Sequence, residues 1–180
     1  EAEPLYRRSL AIEVKVLGAD HPNVGTSSAI LGMLYEEQGR YVEAEPLLRR
    51  SLGIEEKALG PDHPDVGQSL TTLALLYQTQ GRFAEVEPLL RRSLRITEKA
   101  LGPDHANFGD ALRLLAALYK EQGRYTEAEP LMRRSLEIAE KARGSDQQDV
   151  AQSLNELASL YADQGRYAEA EPLYRRSLAI

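Results

Sequence analysis

The chain has 180 residues, 42% hydrophobic and 28% charged, with a formal net charge of −6 and no cysteine. The acidic balance argues against non-specific affinity for nucleic acid or an anionic membrane, which needs a basic patch. The lack of cysteine excludes disulfides, thiolate metal sites and a cysteine nucleophile.

In chain order, apolar residues recur with helical spacing over Ala2–Leu17, Pro22–Gln38, Tyr41–Leu59, Pro64–Gly81, Ala84–Leu101, Ala106–Gln122, Thr126–Arg143, Asp149–Gln164 and Ala168–Ile180. That reading gives nine helices and no strand. Within Pro64–Gly81, for example, Val66, Leu70, Leu73, Leu76 and Tyr77 share one face. Pro64 suits a first helical turn, Gly81 a left-handed stop, and Leu101-Gly102-Pro103-Asp104 a cap followed by a breaker. Pro88 lies inside its helix, at the edge of the first turn where a missing N–H is tolerated, so at most a slight bend is expected. No apolar run reaches the roughly 20 residues that span a bilayer, and no signal segment opens the chain. A soluble, cytoplasmic protein is expected.

The helices alternate between two types, A and B, because the sequence repeats. The phrase QGRFAEVEPLLRRSL at Gln80–Leu94 returns, with substitutions, at Gln38–Leu52, Gln122–Leu136 and Gln164–Leu178, always at a step of 42 residues. Residues Glu1–Ile12 are identical to Glu169–Ile180. The chain thus starts on a helix B (residues 1–17), continues through A–B repeats at 22–59, 64–101 and 106–143, and stops inside a fourth at 149–180. It reads as one domain and as a piece of a longer array. A period of this length implies units too small to bury an apolar face alone, which stack on their neighbours.

These residues resemble the tetratricopeptide repeat. Leu70, Leu73, Ala74 and Tyr77, with Val86 and Leu90, occupy its signature positions; Ser28, Leu31, Gly32 and Tyr35 with Ala44 and Leu48 do so one period earlier. Leu112, Leu115, Ala116 and Tyr119 with Ala128 and Met132, then Leu154, Leu157, Ala158 and Tyr161 with Ala170 and Tyr174, follow. The 42-residue period and the HPDV, QGRY and EAEPLxRRSL phrases are similar to the kinesin light chain class. The resemblance implies an all-α, right-handed α-solenoid whose A helices line a concave groove for a peptide or partner helix. By that analogy the groove positions are Thr26, Ala29, Met33, Glu36 and Glu37; Gln68, Thr71, Leu75, Gln78 and Thr79; Asp110, Arg113, Ala117, Lys120 and Glu121; and Gln152, Asn155, Ser159, Ala162 and Asp163. These vary between repeats while the frame stays constant. Where kinesin light chains carry two adjacent asparagines in helix A, this chain has Asn155–Glu156, Ala29–Ile30, Thr71–Thr72 and Arg113–Leu114. The groove positions hold five carboxylates against Arg113 and Lys120, so a basic groove for acidic cargo is not expected.

Other recurring residues read as structural. His21, His63 and His105 recur in equivalent loops, too far apart to share a metal ion at bond lengths near 2 Å, and are expected at helix starts. Glu45 with Arg49, and Glu87, Glu129 and Glu171 with Arg91, Arg133 and Arg175, have the spacing of helix-surface ion pairs. Ser51, Ser93, Ser135 and Ser177 read as small residues at a helix contact, and the glycines as caps. No catalytic, cofactor or metal constellation emerges. A non-enzymatic interaction scaffold is the leading expectation. The alternative is a structural or engineered array that associates head to tail through its matching ends.

Overall fold

The computed structural model describes residues 2–141 and 147–180. Among them the backbone forms nine α-helices and no strand: α1 (Ala2–Leu17), α2 (Pro22–Glu37), α3 (Tyr41–Leu59), α4 (Pro64–Thr79), α5 (Phe83–Leu101), α6 (Ala106–Glu121), α7 (Tyr125–Lys141), α8 (Gln147–Asp163) and α9 (Tyr167–Leu178). Even numbers are type A and odd numbers type B. The sequence pattern starts α5, α7 and α9 one residue late, because the aromatic after QGR is already helical. The expected close of α7 at Arg143 lies outside the described residues. Packing divides the chain into two compact units, Glu1–Ile96 and Thr97–Ile180, with the boundary inside α5.

Helices α2, α4 and α6 begin on a histidine. The Nδ1 atoms of His21, His63 and His105 accept hydrogen bonds from the backbone N–H of Asn23, Asp65 and Asn107, each at 3.2 Å. An imidazole thus does the work usually given to Ser or Asp, satisfying a first-turn N–H that has no intrahelical partner. Helix α4 ends where Gly81 adopts φ +71, and the N–H of Arg82 then returns to the Tyr77 carbonyl at 2.9 Å. That closure fixes the direction in which α5 departs.

In the first unit α2 packs on α3, and α4 on α5, through small residues facing large ones. Val66, Leu70 and Ile96 form a buried cluster, with Leu52 of α3 and Leu89 of α5 against it. In the second unit, Ala116, Met132, Ala128 and Ile138 are buried between α6 and α7, and Ala158 and Ala170 between α8 and α9. Each fully buried Leu or Ile contributes about 1.5–3 kcal/mol.

Three sequence expectations need correction. Gly25 and Gly109 are not caps: a Cβ there would stand 3.1 Å from Ile54 Cγ2 and 3.2 Å from Ile138 Cγ2, so they let helix pairs close up. Ser93 and Ser135 are more than small; each donates from Oγ to the carbonyl of the A-helix glycine opposite, Gly67 at 2.8 Å and Gly109 at 2.9 Å. Pro88 is the sixth residue of α5 rather than a first-turn residue, and Pro46 holds the same place in α3. Pro46 therefore deprives the Val42 carbonyl of its helical partner. Both residues lie on the exposed side, where water can serve that carbonyl.

Candidate functional site

Two kinds of surface arise from the repeat, one that joins helices and one that varies. The joining surface is a clamp. In the first unit Glu45 of α3 accepts from the Tyr77 hydroxyl at 2.9 Å and pairs with Arg82, whose guanidinium lies 3.9 Å from the Tyr77 ring centroid. Arg49 adds bonds to Glu45 at 2.9 Å and to the Tyr77 oxygen at 2.8 Å. Glu3, Tyr35, Arg40 and Arg7 build the same clamp between α1 and α2. In the second unit Glu129, Tyr161, Arg166 and Arg133 build it between α7 and α8. The Arg166 hydrogen bond, aided by Arg133 and Tyr161, holds the Glu129 carboxyl down to about 2 despite partial burial. Burial, then the Glu129 carboxylate, pushes the Tyr161 phenol up.

The Glu–Arg spacing read as a surface pair is therefore half of the story. Glu45 and Glu129 also reach into the next repeat. Sequence reasoning missed this because Glu45 and Arg82 are 37 residues apart, and only packing brings them within bonding distance.

The variable surface is carried by the A helices. In the first unit Thr26, Met33 and Glu37 of α2, and Gln68, Leu75 and Thr79 of α4, are exposed, while Ala29, Glu36 and Gln78 are half-buried. Burial, reinforced by neighbouring Glu37, raises the Glu36 carboxyl. Thr71 differs: it is only 7% exposed, and its hydroxyl bonds the Ser93 hydroxyl at 2.8 Å and the Gly67 carbonyl at 3.1 Å. It belongs to the α4–α5 contact.

In the second unit α6 and α8 present their variable positions side by side. Lys120 Nζ donates to Ser159 Oγ at 2.6 Å and pairs with Asp163 at 3.0 Å. Arg113 donates to Glu156 Oε1 at 3.1 Å, and Gln152 to the same oxygen at 3.0 Å. Between these helices lies an open pocket of about 490 Å³ lined by Ala117, Lys120, Glu121, Asn155, Ser159 and Asp163, together with Met132 and Glu156. Asp110 is exposed and Ala162 half-buried, and neither lines it. Met132 and Glu156 were not among the groove positions inferred from sequence. A methionine where sister repeats carry Leu48, Leu90 and Tyr174 was the available signal for the first. For Glu156 the signal was its place beside Asn155. Its carboxylate reaches Arg113 on α6, a charge link between neighbouring A helices.

The chain's sequence profile agrees with this architecture. The tetratricopeptide repeat profile matches residues 1–57, 26–99, 80–140 and 107–180. The chain belongs to the tetratricopeptide repeat family. No curated protein matches it in sequence. Among solved structures, BtubC (BKLC) from P. vanneervenii superposes with a TM-score of 0.88 at 23% identity, over 99% of this chain and 71% of that one. A putative kinesin light chain of Podosopora anserina with nearly identical TPR-like repeats superposes at 0.80 with 30% identity, over 99% and 84%. A single-substitution variant of that protein gives 0.82 at the same identity and coverage. The 42-residue tetratricopeptide frame is thus of the kinesin light chain-like type, and all-α repeat stacking is shared with these proteins.

Tetratricopeptide repeats generally act as protein-interaction scaffolds. Among the described residues no group of three His, Asp or Glu side chains is disposed to hold a metal ion, and no helix is long and apolar enough to cross a membrane. Arg50, Arg92 and Arg134, each the residue after an ion-paired arginine, serve the loops: Arg50 donates to the Ala19 carbonyl, Arg92 to Pro61 and Arg134 to Pro103, at 3.0–3.1 Å.

Proposed function

We propose that this chain is a non-enzymatic interaction scaffold, one continuous repeat domain that holds a peptide or a partner helix against its A helices. The observation that supports it is the pocket between α6 and α8: its walls are drawn from positions that differ between repeats, on helices whose buried frame hardly changes. A partner read by such a surface is recognised through side chains, with the apolar Ala117 and Met132 beside polar groups. Arg113 and Lys120 already face carboxylates of α8, which favours a partner that is not strongly acidic. The acidic composition favours partners other than nucleic acid or an anionic membrane.

Peptide-display selection against the immobilised chain tests this reading. A recovered consensus whose binding is lost in Arg113→Ala, Lys120→Ala, Asn155→Ala supports it. Binding that is indifferent to the triple substitution counts against the A-helix surface.

A second reading is structural: copies associating head to tail. Exposed Leu178, Tyr174 and Ile180 near α9, and exposed Leu5, Ile12 and Val16 on α1, favour it.

A further inference from the structure

One place on the A helices is filled in opposite ways in the two units. In the second unit Lys120, in the last turn of α6, donates to Ser159 at 2.6 Å and pairs with Asp163 at 3.0 Å, both on α8. Two periods earlier the same three places hold Glu36 on α2 and Leu75 and Thr79 on α4. The charge is reversed and both of its partners are gone. Leu75 offers no polar atom, and the Thr79 hydroxyl donates to the Leu76 carbonyl at 2.8 Å. Glu37 follows directly, so the last turn of α2 holds two carboxylates and no basic residue, at the end of a helix where the macrodipole favours a cation. Among the described residues no cation pairs with either carboxylate, and burial, then Glu37, raises the Glu36 carboxyl. Apolar surface adjoins the charge: Met33 is 43% exposed and Leu75 37%, where the second unit has Ala117 and Ser159. The three-residue step from Met33 to Glu36 puts both on one side of α2.

We infer that this face of α2 and α4 takes a lysine or arginine side chain that a partner segment carries beside an apolar residue. The inference rests on the A helices being the binding surface, and states what this part of it selects. The long stem of such a side chain covers apolar surface while its charged end stays at the rim, which suits Met33 and Leu75 beside Glu36 and Glu37. The incoming cation then does for α2 what Lys120 does for α6. An acidic segment is repelled by the two carboxylates. A wholly apolar one takes water away from the half-buried Glu36 and gives it no partner in return.

Three short capped peptides test this by fluorescence anisotropy with the full chain. They share a leucine-containing sequence and differ at one central position, which is lysine, norleucine or glutamate. The lysine peptide is expected to bind at least about tenfold more tightly than the other two. Glu36→Lys, Leu75→Ser, Thr79→Asp together rebuild on α2 and α4 the arrangement that α6 and α8 already carry, and this variant loses the preference for lysine. Glu36→Gln alone reduces the preference, and decides the matter if the triple variant loosens α2. Glu98→Gln, at an exposed position of α5, changes the net charge equally and leaves the preference intact. A preference kept in both Glu36 variants, or lost equally in Glu98→Gln, overturns the assignment to this face. Loss only in Arg113→Ala, Lys120→Ala, Asn155→Ala places the binding between α6 and α8, which overturns this inference and keeps the scaffold. Failure of all three peptides to bind overturns the lysine selection, while the scaffold itself is judged by the display selection.

Discussion

Gly81 holds φ +71 at the turn after α4, a conformation that any Cβ disfavours. Gly81→Ala is expected to destabilise the chain by about 1 kcal/mol through backbone strain alone, since nothing stands within 4 Å of the added methyl. Gly53 has the same open space around it but lies within α3, without a positive φ. There a methyl lowers the cost of ordering the backbone, as Arg95 and Glu137 do at the matching positions of α5 and α7. Gly53→Ala is expected to stabilise by about 0.5–1 kcal/mol. Chemical denaturation of the two variants checks both signs; a shared sign would mean that helix propensity and turn geometry have been misassigned. At the same scale, a histidine Nδ1 accepting from the backbone explains why a histidine precedes α2, α4 and α6.

Between elements, the clamp sets the pH response. The Glu129 carboxyl sits at about 2 in the fold, chiefly because Arg166 hydrogen-bonds its charged form; an unfolded glutamate titrates at about 4.3. A folded value below the unfolded one means that the unfolded chain takes up the proton first. The contribution is then complete above the unfolded value and is lost as pH falls through about 4 towards 2. Glu3 and Glu45 are lowered for the same reason, by Arg40 and Arg82 respectively, so the losses add. Glu36, raised by burial, works in the opposite direction. Urea midpoints measured from about pH 6 to pH 2 are therefore expected to fall below about pH 5. Glu129→Gln should be less stable at about pH 6 and lose less on acidification. A parallel curve for that variant would remove Glu129 from the explanation.

At the scale of the molecule, stability comes from what each hairpin receives from its neighbour. Leu52 of α3 is covered by Val66 and Leu70 of α4, and Glu45 is satisfied by Tyr77 and Arg82 of the next hairpin. A hairpin cut out alone, residues 22–59, keeps its own α2–α3 contacts and loses those on its outer side. It is expected to melt without a cooperative transition, whereas the full chain unfolds cooperatively over neighbouring repeats. Circular dichroism on heating checks this, and a sharp transition in the isolated hairpin would overturn it.

The order of helices, their A and B types and the buried frame were legible in the amino-acid sequence. A 42-residue period and helical spacing of Leu, Tyr and Ala are one-dimensional properties that any stacked copy must express. The variable A-helix positions were legible in outline, through the family's pattern. The sequence did not reveal that Thr71 turns inward to Ser93, that Met132 and Glu156 line the pocket, or that Glu45 closes on Arg82. Those depend on which side chains meet across helices tens of residues apart. Identical words such as EAEPLYRRSL also have different fates in α1 and α9, because burial depends on the neighbouring helix as well as on the residue's own sequence.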